Sequence, residues 1–298
     1  MATSGAAKAA KVESRTADEG LIAVCVLGKK RAAMVHVGCE TDFVARNKVF
    51  GDAVGGVART AAFLDVPEDL EMTQASPNTS TSARIRAFPT SSLLSAPLIT
   101  FPDADSNAIE PAAISSSSPP PTLSQTLTST ITQTGENIKL RRAITFAAPF
   151  PSSPDVKFLP GVYVHGAISP AGTEGKLGAL VVLAVKSIDP AKPIARMLGG
   201  TDAGNQLETD LSSLARTVAR QVVGFPTKAI SAPSTAVKGE NEAEYLMDQQ
   251  PMMFPDAGEA PTVAEAIKAW GAQRAVEVQV VDMCRWSLAD ELEGEVSA

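Results

Sequence analysis

The stretch Ala33-Met34-Val35-His36-Val37-Gly38-Cys39 runs through Glu40 into Thr41-Asp42-Phe43-Val44-Ala45-Arg46-Asn47. Its first half predicts a strand, with Met34, His36 and Gly38 on one face and Ala33, Val35, Val37 and Cys39 on the other. Upstream, Leu21–Leu27 is a second apolar, β-branched run, and Gly28-Lys29-Lys30 supplies the turn between them. Two strands joined so closely predict an antiparallel hairpin. Downstream, Phe43, Phe50, Val54, Val57, Ala61 and Leu64 recur at spacings of seven, four, three, four and three. That is the stripe of one helix about six turns long. An acid and a large aromatic, Asp42 and Phe43, therefore sit where a strand turns into a helix.

The same order recurs later in the chain. Val162–Ile168 and Leu177–Val185 read as strands around the turn Ser169–Gly175. Leu207, Leu211, Leu214, Val218 and Val222 form a helical stripe, and Thr262 with Glu265 suits a capping box for a further helix. Closing strands are expected at Asn137–Phe146 and Ala275–Trp286. Hairpin, helix and closing strand thus occur twice, which predicts an α+β fold. Its two related subdomains, 1–149 and 150–298, would each carry an antiparallel three-stranded sheet covered by helices. A parallel doubly wound sheet is disfavoured, because neither hairpin leaves room for a crossover. Residues 67–130 are rich in Ser, Thr and Pro, and such a composition cannot bury enough apolar area to offset its ordering entropy. We expect a largely mobile loop hung on the first subdomain, with two docking pieces: Ser91–Ile99, and a short helix over Leu123–Ile131.

With 298 residues, 44% of them hydrophobic but only 5% aromatic, the chain has a core of Val, Leu, Ile and Ala. The net charge of −7 argues against nucleic-acid binding, which needs a clustered Lys/Arg excess. Charge is uneven: nine Lys/Arg against six Asp/Glu over 1–64, three against thirteen over 240–298. An acidic end of this kind is ordinarily a solvated surface. Three scattered cysteines, Cys25, Cys39 and Cys284, include no C-x-x-C pair and indicate neither a metal site nor a disulfide framework. No run has the length needed to span a bilayer. No G-x-S-x-G, H-E-x-x-H or G-x-x-x-x-G-K motif occurs, so no catalytic residue, nucleotide site or cofactor is expected. His36 and Cys39 lie three apart on a strand, face opposite ways and cannot readily act as a base and thiol pair.

Thr41–Asn47, entered from Cys39-Glu40, resembles the signature of the elongation factor Ts family, the nucleotide exchange factors of EF-Tu. Gly135-Glu136-Asn137-Ile138-Lys139-Leu140-Arg141-Arg142 is similar to the family's second motif. Val164-His165-Gly166 with Leu177-Gly178-Ala179-Leu180-Val181 is similar to its third. A weaker fourth is Leu246-Met247-Asp248-Gln249-Gln250-Pro251 with Thr262-Val263. The resemblance implies two α+β core subdomains, a non-enzymatic role, and mitochondrial EF-Tu, preferentially nucleotide-free, as the partner. The family's small amino-terminal helical domain is not recognised before the first strand. Gly224–Met247 is too short for the helical hairpin through which bacterial members dimerise, and their carboxyl-terminal helix is reduced to Ala289–Ala298. These departures look like a mitochondrial matrix member, any presequence lying upstream of Met1.

The resemblance carries Asp42 and Phe43 over as the pair that intrudes into the partner and disturbs its Mg²⁺ and phosphate site. Val44 and Ala45 would pack beside that wedge, and Thr41, Arg46 and Asn47 complete the contact. His165 is implied to face the partner's third domain, and Gly135 to sit in a partner-facing turn. Plainer readings stand beside these. Thr41 or Asp42 caps the helix; Phe43, on the stripe of Phe50 and Val54, belongs to the core; Arg46 and Asn47 are a solvated face; Gly135 serves its own backbone. His36 is read as structural. A non-exchanging scaffold or chaperone for EF-Tu is the alternative function.

Overall fold

A computed structural model describes residues 2–66, 84–100, 119–167, 172–234 and 241–291. The hairpin forms where the sequence places it: β1 (Glu19–Leu27) pairs antiparallel with β2 (Arg31–Cys39), from Glu19↔Cys39 to Leu27↔Arg31. Closing strand β4 (Lys139–Ala147) lies on the other side of β2. In the second half β5 (Val156–His165) pairs with β7 (Leu177–Ser187), and β8 (Val276–Ser287) closes that sheet.

The α+β class and two antiparallel sheets hold, but the first sheet is larger than predicted. Its order is β3-β4-β2-β1-β6, five strands, against three in β5-β7-β8. The extra edges are short. β3 (Arg86–Ala87) comes from the region expected to be a loop, and β6 (Glu174–Gly175) comes from the turn after β5 and pairs with β1. Both are two-residue additions without apolar periodicity, so they leave no pattern to read.

Neither sheet has a free face. Leu21, Ala23, Ala33, Val35, Val37 and Cys39 join one core with the helix α3 (Lys48–Phe63), while Ile22, Val24, Ala32 and Met34 face Val164, Leu180 and Val182 of the other sheet. Strand β7 alternates likewise, sending Ala179, Val181, Leu183 and Val185 towards the helix α7 (Asp202–Gly224). The layers are therefore helices, sheet, sheet, helices. The two faces read from β2 are both real and both buried.

Two further differences concern helices. The stripe from Phe43 to Leu64 is broken into α2 (Asp42–Ala45) and α3, with Arg46 and Asn47 between them. A helix not expected from the sequence, α1 (Ala2–Val12), precedes β1 and puts Val12 into the core beside α5 (Leu123–Thr134). Within 67–130, α4 (Thr90–Ser95) buries Leu93 and α5 buries Leu123, Leu127 and Ile131, with Thr122 and Gln125 forming a reciprocal capping box. These are the two pieces expected to dock, and both are packed; of the expected mobile loop, 67–83 and 101–118 lie outside the described residues.

The one-turn helix α6 (Ile194–Met197) precedes α7, and α8 (Val263–Gln273) starts at the predicted cap, where Thr262 Oγ1 accepts from Glu265 N at 3.3 Å. Between Gly224 and Met247, the described residues form loop and 3₁₀ turns with no helical hairpin. Gln249, of the fourth motif, is buried and bonded to Gln221, Thr227 and the Ala243 carbonyl, a structural role. The expected terminal helix falls mainly on 292–298, outside the described residues. Among the described residues no helix is long and apolar enough to cross a membrane.

Candidate functional site

Strand β2 ends at Cys39, and the next two residues are held from several sides. The Cys39 thiol donates to the Thr41 carbonyl at 3.3 Å. Burial, helped by the Glu136 and Glu19 carboxylates, pushes that thiol up to about 12, so it stays protonated and a donor. Thr41 is extended, and its Oγ1 accepts from Val44 N at 3.4 Å, capping α2. Asn47 Oδ1 accepts from Val49 N at 2.9 Å and caps α3.

The break between the two caps decides where Phe43 goes. In one continuous helix a spacing of seven would place it above Phe50 on the buried stripe. Instead Phe50 is fully buried, and Phe43 is 83% exposed while its neighbours Val44 and Ala45 are buried. The core reading of Phe43 is thereby overturned. Asp42 is half-buried, its carboxylate 3.3 Å from Arg46 Nη2.

Helix α5 ends at Gly135, whose N donates to Ile131 O at 2.8 Å and whose φ of 76° is left-handed. That conformation favours glycine over any side chain. The turn aims Glu136 back at the corner. Glu136 Oε2 accepts from Glu40 N at 3.1 Å and Thr41 N at 3.0 Å, and Oε1 accepts from Thr41 Oγ1 at 2.5 Å. In return Glu40 Oε1 accepts from Asn137 N at 2.7 Å. Asn137 Nδ2 donates to the carbonyls of Glu13 and Arg15, which fastens the chain after α1 to the same place. Glu136 and Asn137 stand in the second motif, but the sequence signals no role for either. Their partners are nearly a hundred positions upstream, and nothing local signals the pairing.

His165, the last residue of β5, is exposed, and its carbonyl accepts from Lys176 N at 3.0 Å across the turn. Arg46, His165, Gly166 and Lys176 line one open depression, so the end of α2 meets the tip of the second hairpin. Of the nine predicted site residues, Thr41, Asp42, Phe43 and Arg46 share one corner with Gly135, and His165 lies across the depression. Val44 and Ala45 are beneath it, and Asn47 is engaged as a cap.

His36 and Cys39 make no catalytic pair. His36 is buried, and burial together with Arg142 and Arg141 lowers its pKa to about 4, although Asp290 opposes them. A neutral imidazole on one face of β2 and a protonated thiol on the other supply no nucleophile. Burial likewise raises Cys25 to about 11 and Cys284 to about 12.

Residues 40–250 match the family model described as Elongation factor TS. The chain belongs to the elongation factor Ts family. It is 52% identical over 288 residues to a mitochondrial elongation factor Ts of Cryptococcus neoformans, covering 96% of this chain and 75% of that protein. A mitochondrial elongation factor Ts of Coprinopsis cinerea is 35% identical over 311 residues, covering 98% and 80%. The elongation factor Ts, mitochondrial 1 of Postia placenta is 32% identical over 305 residues, covering 95% and 92%. Members of the elongation factor Ts family are translation elongation factors that exchange the nucleotide of EF-Tu, and are not enzymes.

Proposed function

We propose that this chain releases GDP from EF-Tu by carrying Asp42 and Phe43 into it, where they disturb the Mg²⁺ and phosphate end of the nucleotide site. One observation carries the reading: a phenyl ring 83% exposed at a corner whose polar backbone and hydroxyl groups are otherwise tied down. An exposed aromatic on a rigid support suits an anchor, which can contribute about 2 kcal/mol on burial in a partner. Exchange requires the factor to bind the nucleotide-free partner better than the GDP form, and linkage makes GDP weaken the factor equally. Each tenfold of that coupling takes about 1.4 kcal/mol of differential contact. Interfering at the phosphates is efficient because the Mg²⁺ and phosphate contacts dominate the nucleotide's hold.

The partner surface in this reading comprises Thr41–Asn47, Gly135 and His165, with Val44 and Ala45 supporting it from below. The depression shared by Arg46 and His165 supports treating them as one face. The names of the relatives support the mitochondrial matrix as the compartment and a mitochondrial EF-Tu as the partner. Release of a fluorescent GDP analogue from EF-Tu tests the proposal. The native chain accelerates release, whereas Phe43→Ala removes most of the acceleration and Asp42→Ala lowers it. Tight binding without acceleration would instead make the chain an EF-Tu scaffold.

A further inference from the structure

We infer that Glu136 is a positioning residue for exchange: its carboxylate fixes the direction in which Phe43 leaves the molecule. This rests on the role proposed for Phe43. The ring is too exposed for packing to orient it, so its direction is inherited from the backbone of the corner. Glu136 receives the Glu40 amide, the Thr41 amide and the Thr41 hydroxyl, all within the two residues before Asp42. The carbonyl of Thr41 is held separately, by the Cys39 thiol and by Ala45 N at 3.1 Å. Every polar group of Thr41 is thereby engaged, and three of the bonds at the corner end on one side chain.

A carboxylate suits this place because it only accepts, and its two oxygens offer about four lone-pair sites. Three donors converge on it without competition, and ionised acceptors form the stronger bonds. Glutamine has the same shape but no charge, and its amide nitrogen cannot accept from the Thr41 hydroxyl, which would have to turn round and accept instead. The support is also reciprocal, since Glu40 accepts from Asn137 N, next to Glu136. Two segments remote in sequence thus strap each other, with the left-handed turn at Gly135 directing the strap. A contact group is effective only when its supporting shell holds it within a fraction of an ångström.

The experiment measures release of a fluorescent GDP analogue from EF-Tu across factor concentrations, for the full chain, Glu136→Gln, Phe43→Leu and the double variant. Phe43→Ala is run alongside. Phe43→Leu keeps an apolar group and a measurable rate. Glu136→Gln should lower the maximal release rate about tenfold while leaving the half-saturating concentration within about threefold. In the Phe43→Leu background the same change should cost less than about twofold. Thr41→Val removes one of the three donors, should cost about threefold with the same background dependence, and serves if Glu136→Gln does not fold. Equal losses in both backgrounds, or no loss in the native one, overturn the inference and leave the role of Phe43 standing. Release undisturbed by Phe43→Ala overturns both.

Discussion

Phe43 and Phe50 are seven residues apart and meet opposite environments. Phe50 fills the core under β1 and β2, so Phe50→Ala should destabilise the fold by about 3–5 kcal/mol in urea unfolding. Phe43→Ala should change stability by less than about 0.5 kcal/mol, since its ring is 83% exposed, while removing most of the exchange activity. Separation of the two readouts is the signature of a contact residue. His36 offers a second residue-level expectation. Its folded pKa is lowered to about 4 from the ordinary 6.5, so the folded state disfavours the proton that the unfolded chain takes up. Above pH 6.5 both states are neutral and the full stability is present. Between about 6.5 and about 4 stability falls with pH by up to about 1.4 kcal/mol per unit. His36→Gln should flatten that part of the urea-unfolding profile, and an unchanged profile would remove His36 as its source.

At the scale of the element, the break between α2 and α3 separates the exposed ring from the buried stripe. Apolar spacing alone favours a continuous helix, because positions 43, 50, 54 and 57 share a face. Two side-chain caps, Thr41 and Asn47, decide otherwise by satisfying amides at two successive helix starts. Asn47→Ala should cost about 1 kcal/mol, measured by thermal or urea unfolding. Lys48→Ala, which removes only an exposed pair with Asp52, should stay within about 0.5 kcal/mol. Equal effects of the two changes would argue against the cap. The hairpins, α7, α8 and both closing strands were legible because each is long and periodic. The two-residue edges β3 and β6 and the helix α1 were not, since their places come from partners elsewhere in the chain.

At the scale of the whole molecule, the two sheets press face to face, and Gly178 lies where they meet. A Cβ there would meet Ile22 Cγ2 at 2.6 Å and Met34 Sδ at 3.0 Å. Gly178→Val should therefore force the sheets apart at a cost of about 1–3 kcal/mol, read from its urea midpoint. A midpoint matching the native chain would mean the sheets separate freely. Sheet contact and the β6 strand bind the two halves of the chain together, and the Arg46–His165 depression is lined by both. The sequence by itself determined the α+β class, the hairpins, the main helices and the family, because periodicity, turns and motifs are written in neighbouring residues. Tertiary structure alone decided that both sheet faces are buried, that Phe43 points outward, and that Glu136 grips the corner. Those outcomes depend on contacts between residues far apart along the chain, which no local spacing encodes.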